Sequence, residues 1–313
     1  MTSMRAALRP LRTETRAVFG LALLVALAAG GVALRLLAFD IPDICFSQTA
    51  FDAACVSRQF DVMAYSDFAS TWGGAVAYAA VLLPSLAGII LGIAAVGKEL
   101  DQRTAVLAWS LSASRRRWLV QRLVPLALIV VLLGLGATFT FQAMISLHRS
   151  GPLPVRFEFI PLVGLGPAVE GLSAFGISLV VGAMLGRLLP ALLASAAFAV
   201  FAFVLITQGN DRLLNGESIV VDQATLGPDS YLDGKYLDSF VQTADGRIIG
   251  WDEVYPDYAD PETGELLPGV RQFARIAPIE IYPEVAARFL LLHLLIAATA
   301  VTLGLAVTDR RTP

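Results

Sequence analysis

The chain has 313 residues, 56% of them hydrophobic and only 16% charged, with a formal net charge of −3. Soluble domains carry about 25% charged residues; here the charge is missing from long blocks, which excludes a water-soluble protein built around one core. No basic domain is present, so nucleic acid is not an expected partner.

The first 16 residues carry Arg5, Arg9, Arg12 and Arg16 at roughly helical spacing, interrupted by Pro10. A first apolar block follows from Ala17 to Phe39. It is too long for the apolar region of a signal peptide and precedes no clear small-residue cleavage site, so it reads as a retained helix. Five more blocks run over Trp72–Val96, Leu123–Leu147, Pro161 or Pro167 to Gly186, Leu188–Thr207 and Val285–Val307. Each provides the roughly 20 apolar residues that a span needs. Only Arg187, within the turn sequence GRLLP, separates the fourth block from the fifth, which predicts an antiparallel helical hairpin. The fold expected is an all-α integral membrane protein with six transmembrane helices and both termini on one side.

Charge selects that side. The N-terminal tail, residues 97–122, Arg187 and the C-terminal tail together hold 13 Lys/Arg and 4 Asp/Glu. The opposite connections hold 8 Lys/Arg and 21 Asp/Glu. Short cationic connections stay in the cytoplasm, which predicts N-in and C-in. The expected organisation is a cytoplasmic segment 1–16, helices 1–5 over 17–207 with a cytoplasmic loop 97–122, an extracellular loop or cap 208–284, helix 6 over 285–307 and a tail 308–313. The only two cysteines, Cys45 and Cys55, then share the first outer loop, where a disulfide is permitted and closes a small ring.

The loop 97–122 reads GKELDQRTAVLAWSLSASRRRWLVQR. Leu100, Thr104, Leu107 and Leu111 form one helical stripe, with Glu99 and Arg103 off it. Ser114 is placed to cap the next helix, whose first turn carries Arg115, Arg116 and Arg117, and Trp118 fits an interfacial anchor. Gly92–Lys98 fits the phosphate-loop pattern G-x-x-x-x-G-K, but Glu99 stands where Ser or Thr must hold Mg²⁺, and the stretch ends an apolar helix. The short inner segments leave no room for a nucleotide-binding domain.

Glu99, Thr104, Leu107, Ala108, Trp109, Ser114, Arg115, Trp118 and Leu119 give this loop a resemblance to the cytoplasmic loop of ABC-2-type permeases, the membrane subunits of many bacterial ABC exporters. Arg103 stands where the family usually has glycine. Tyr282, Pro283, Arg288 and Phe289 are similar to a second segment of such permeases. The resemblance implies a permease subunit in a bacterial plasma (inner) membrane. Its loop, with Glu99, Leu100, Arg103, Thr104, Leu107, Leu111, Ser114, Arg115 and Trp118, would dock on a separate ABC ATPase present in two copies. It further implies a second permease subunit, identical or homologous. ATP and Mg would belong to the ATPase, with no cofactor and no metal in this chain. The substrate is not readable.

Glu170 and Arg288 are the candidate polar groups of a pore. Glu170 either binds a cationic substrate, pairs with Arg288 or Arg35, or sits in the first turn of a helix starting at Pro167, where the helix dipole favours it. Two rival readings stand beside the transporter. Ser173 in Gly-Leu-Ser and His293 on the sixth block suggest a rhomboid-like intramembrane serine protease, although the flanks of His293 are bulkier than expected. A non-transporting membrane sensor is the third reading. In the 208–284 segment no Ca²⁺-loop spacing occurs, and its turn-rich, aromatic sequence predicts a folded cap that includes short surface helices.

Overall fold

The computed structural model describes residues 12–46, 53–102, 114–147, 157–225, 234–250, 254, 258 and 266–310. Among these, six helices are long and apolar enough to cross a membrane. The first is α1 (Arg12–Leu37). The second is continuous over 43 residues from Gln59 to Asp101. It consists of α2 (Gln59–Phe68), a π-helical turn at Ala69–Gly73, and α3 (Gly74–Asp101). At 1.5 Å per residue it is roughly 65 Å long, about twice the hydrocarbon thickness of a bilayer. The apolar block begins only at Trp72, because Asp61 and Asp67 hide the helical continuation in a search for uncharged sequence. Before it, Cys45 and Cys55 are joined by a disulfide with Cα atoms 5.3 Å apart. Tyr65 is fully buried, with Phe39 and Phe46 packed on its ring and its hydroxyl donating to the Leu147 carbonyl.

The remaining spans are α4 (Arg115–Ser146), α5 (Gly166–Leu185), α6 (Leu188–Glu217) and, after a β-structured segment, α7 (Tyr282–Arg310). Ser114 caps α4, its hydroxyl accepting from the Arg117 amide at 3.1 Å, which satisfies one of the orphan donors of the first turn. Pro167 opens α5, and Gly186, with φ of +61°, closes it in the left-handed conformation that only glycine adopts readily. The core lies where α3, α4 and α5 meet, with Leu91, Ala95, Leu126, Val130, Phe175 and Leu179 fully enclosed.

Small residues bring α3 and α5 together. A Cβ on Gly88 would lie 2.3 Å from the Gly171 carbonyl oxygen, and one on Gly92 would lie 2.4 Å from that of Phe175. In a bilayer, where lipid is as apolar as leucine, such backbone proximity is the main source of helix association. By contrast, much of the surface of α1, α6 and α7 is exposed apolar side chain, including Leu23, Leu24, Phe201 and Leu295.

The described residues divide into two compact units, this helical one and a second made of residues 157–159 and the described part of 205–288. It holds a four-stranded sheet of β1 (Ile219–Asp222), β2 (Gly234–Gln242), β3 (Ile248–Ile249) and β4 (Arg271–Pro278), in the order β1-β4-β2-β3. Every pairing is antiparallel, with a register shift between Tyr236 and Asp238. Val241, Ile249 and Val254 form its core, and Phe240 stacks on Phe273. The expectation of an all-α chain therefore holds for the spans and fails between the fifth and sixth. GKYLDSFVQ and RQFARIAP carry the β-branched and aromatic residues of strands, but intervening turn residues break the stretch into runs too short to show their period. The fifth helix also runs on to Glu217, since no proline interrupts it after Pro190.

Candidate functional site

Two arrangements stand out in the helical unit: an ionic clamp flanking residues 103–113, and a polar cluster midway along α5. In the clamp, Lys98 Nζ lies 2.6 Å from Glu14 Oε1, joining α3 to α1. One residue on, Glu99 Oε1 lies 2.9 Å from Arg122 Nη2, joining α3 to α4. The second pair is the more enclosed, its side chains 11% and 4% exposed. Arg122 also stacks over the Trp118 ring at 4.1 Å and donates to the Ala95 carbonyl at 3.4 Å. Ions at such depth persist only when paired and hydrogen-bonded, and removing one partner costs about 3–5 kcal/mol. The end of α3 and the start of α4 are thus held as one piece.

Glu99, expected at the docking surface, is turned into the bundle toward Arg122. Leu100 and Trp118 pack against the α3–α4–α5 core. Ser114 serves as the helix cap and Arg115 begins α4. Arg103, Thr104, Leu107 and Leu111 lie outside the described residues. Sequence reasoning missed Glu14 and Arg122 as partners. The available signal was an acid and a base bracketing the loop on two adjacent apolar blocks.

The second arrangement centres on Ser173. Its hydroxyl lies 2.8 Å from the Glu170 carbonyl oxygen, one helical turn back, and 2.9 Å from His293 Nδ1 on α7. A serine has a single proton. When it goes to the helix carbonyl, the hydroxyl accepts from Nδ1–H, which leaves Nε2 with a lone pair. That Nε2 is buried without a hydrogen-bond partner, and so is Glu170 Oε1. Glu170, Ser173 and His293 all line a cavity of about 400 Å³. Glu170 stands in the second turn of α5, half-buried, with its Oε1 shut away from solvent. Its proposed partner Arg288 is engaged elsewhere, donating to Glu217 at 2.5 and 3.2 Å and to Glu284 at 2.5 Å. Arg35 lies over the Phe39 ring at 4.6 Å. An unpaired acid in a span costs about 2.5–3.5 kcal/mol on insertion scales and marks a functional position.

The Ser–His contact meets one condition of a nucleophile and fails two others. The imidazole has no third group on Nε2 to orient it. Ser173 also stands inside α5, where the neighbouring N–H groups belong to the helix ladder and are not free to stabilise an oxyanion. Gly176 shows what the contact does accomplish: a Cβ there would lie 3.0 Å from the Ala297 carbonyl oxygen, so α5 and α7 touch backbone to backbone beside the hydrogen bond. The pair is a latch between two spans. Among the described residues, no group of three His, Cys, Asp or Glu could hold a metal ion.

A family model described as "ABC-2 membrane transporter related" matches residues 21–209, more than half of the chain. The chain belongs to this family. It is a multi-pass membrane protein and the permease type of an ABC transporter, the membrane subunit rather than the catalytic one. No curated protein and no solved structure matches it. The matched stretch contains both sides of the Glu99–Arg122 clamp and the α5 half of the polar cluster. The permease's sheet begins only at Ile219, beyond the matched residues.

Proposed function

We propose that this permease is the membrane half of an ABC exporter, driven by a separate ATPase that docks on the loop within residues 97–122. The observation that carries the reading is the clamp. A push on residues 103–113 needs stiff anchors at both ends to reach the spans. Lys98–Glu14 and Glu99–Arg122 tie the two flanks of that segment to three helices, α1, α3 and α4. The chain would sit N-in and C-in in a bacterial inner membrane, with the sheet unit outside, because the short cationic connections favour the cytoplasm. The disulfide agrees with an oxidising exterior for its loop. Two copies, or one copy and a homologous subunit, would pair through part of the exposed apolar surface of α1, α6 and α7, with two ATPases and their ATP and Mg below.

The test replaces Leu107 and Leu111 with Asp in the native host and isolates the complex from its membranes. The expected outcome is normal insertion with loss of the co-purifying ATP hydrolysis. Hydrolysis retained at full strength refutes the docking role.

A further inference from the structure

The cavity between α3, α5, α6 and α7 has a composition that selects its occupant. We propose that it binds a lipophilic amine in the ammonium form, with the Glu170 carboxylate as counter-charge and His293 Nε2 as a second hydrogen-bond acceptor. The open polar atoms carry the choice. With its proton on the Glu170 carbonyl, the Ser173 hydroxyl is left to accept from His293 Nδ1–H, and in that arrangement Ser173 is satisfied. What remains unpartnered is a carboxyl oxygen, Glu170 Oε1, and the Nε2 of an imidazole that is 2% exposed. A carboxylate oxygen and an imidazole lone pair both accept. The ligand that answers them must donate more than one hydrogen, and a positive charge answers the carboxylate directly.

The rest of the cavity specifies the body of the ligand. Its walls are almost wholly hydrocarbon, with Ile89 and Ala174 deep and Leu82, Leu86, Val200 and Phe203 exposed at the mouth. A cavity of about 400 Å³ falls within the range that holds a small drug-like molecule. The exposed mouth residues lie on the apolar flank of the bundle, so entry is lateral, from the lipid phase. An amine that partitions into a bilayer with its ammonium near the headgroups meets this geometry. A free sugar or a peptide does not, having far more polar surface than two acceptors can satisfy.

Binding of the amine stands apart from ATPase coupling; only its status as cargo rests on the permease reading. The experiment therefore uses the full chain alone in lipid nanodiscs, with dansylcadaverine as probe and its N-acetylated form as the uncharged control. Saturable fluorescence enhancement is expected for the amine, with binding of the acetylated probe at least tenfold weaker. Glu170→Gln should weaken the amine at least tenfold and bring the two probes to similar affinity. His293→Gln should weaken it several-fold. Absence of saturable binding to the wild type, equal binding of both probes by the wild type, or unchanged affinity in Glu170→Gln overturns the proposal. The probe comparison on the wild type needs no variant to fold.

Discussion

Replacing Glu99 with Leu removes one member of an enclosed ion pair and leaves the other in place. At 2.9 Å and an effective dielectric constant of 20, the mutual attraction is about 6 kcal/mol, opposed by several kcal/mol of desolvation for each ion. The pair's net value is therefore small, yet the loss of one partner is not. Without Glu99, the Arg122 guanidinium keeps the Trp118 ring and the 3.4 Å contact to the Ala95 carbonyl, neither of which neutralises it. The single variant should lose about 3–5 kcal/mol of unfolding free energy, and Arg122→Met a similar amount. The double variant, Glu99→Leu with Arg122→Met, should return to within about 1–2 kcal/mol of the wild type, because two apolar side chains fill the site without a stranded charge. Denaturation of the purified chain in mixed micelles measures all four corners of this cycle. A single variant within about 1 kcal/mol of the wild type, or a double variant as damaged as the two singles summed, would refute the argument that this clamp is enclosed and coupled.

Gly92→Ala should cost about 1–3 kcal/mol, because its Cβ would stand 2.4 Å from one backbone oxygen and 2.9 Å from the Ser178 Cβ, forcing α3 and α5 apart. Gly136→Ala is the control, since nothing lies within 4 Å of its added methyl, and thermal unfolding should show it equal to or above the wild type. Ser173→Ala should lower stability by about 1–3 kcal/mol through the buried His293 it strands. No intramembrane proteolysis should be lost with it, and cleavage of a transmembrane substrate that requires Ser173 would reverse that reading.

The spans were legible because uncharged blocks of about 20 residues have few alternative explanations. The Ser114 cap was equally legible, since a serine before three arginines and an apolar run leaves little choice of helix start. Ser173 and His293 stand 120 positions apart, and only the likeness of Gly-Leu-Ser and a sixth-block histidine to an intramembrane protease suggests the pair; the helices do bring them together. The resemblance of the 97–122 loop to ABC-2-type permeases assigns Glu99 to a contact with another protein. Its real neighbour is Arg122, 23 positions on, and no periodic pattern reveals a pair that crosses a loop. The sheet escaped for a related reason. Strand pairing of Gly234–Gln242 with Arg271–Pro278 is a long-range fact, and each strand alone is short and half polar. For Glu170 the sequence leaves a pore group, an ion pair and a wetted first turn after Pro167 all open; that neighbouring helices pack around it depends on α3, α6 and α7.

Only Gly186 and Arg187 connect α5 to α6, so the two helices have no slack between them. Among the described spans α5 has the lowest mean hydropathy, and it carries Glu170, with its buried Oε1, together with two buried serines. Such a segment is a reluctant entrant into lipid as it leaves the insertion machinery. Its greasier neighbour follows within two residues, so the hairpin enters the bilayer as one cargo, with α6 carrying α5 across. During biogenesis, then, the tight turn is a tow-line that lets the chain keep a less apolar span where its chemistry needs one.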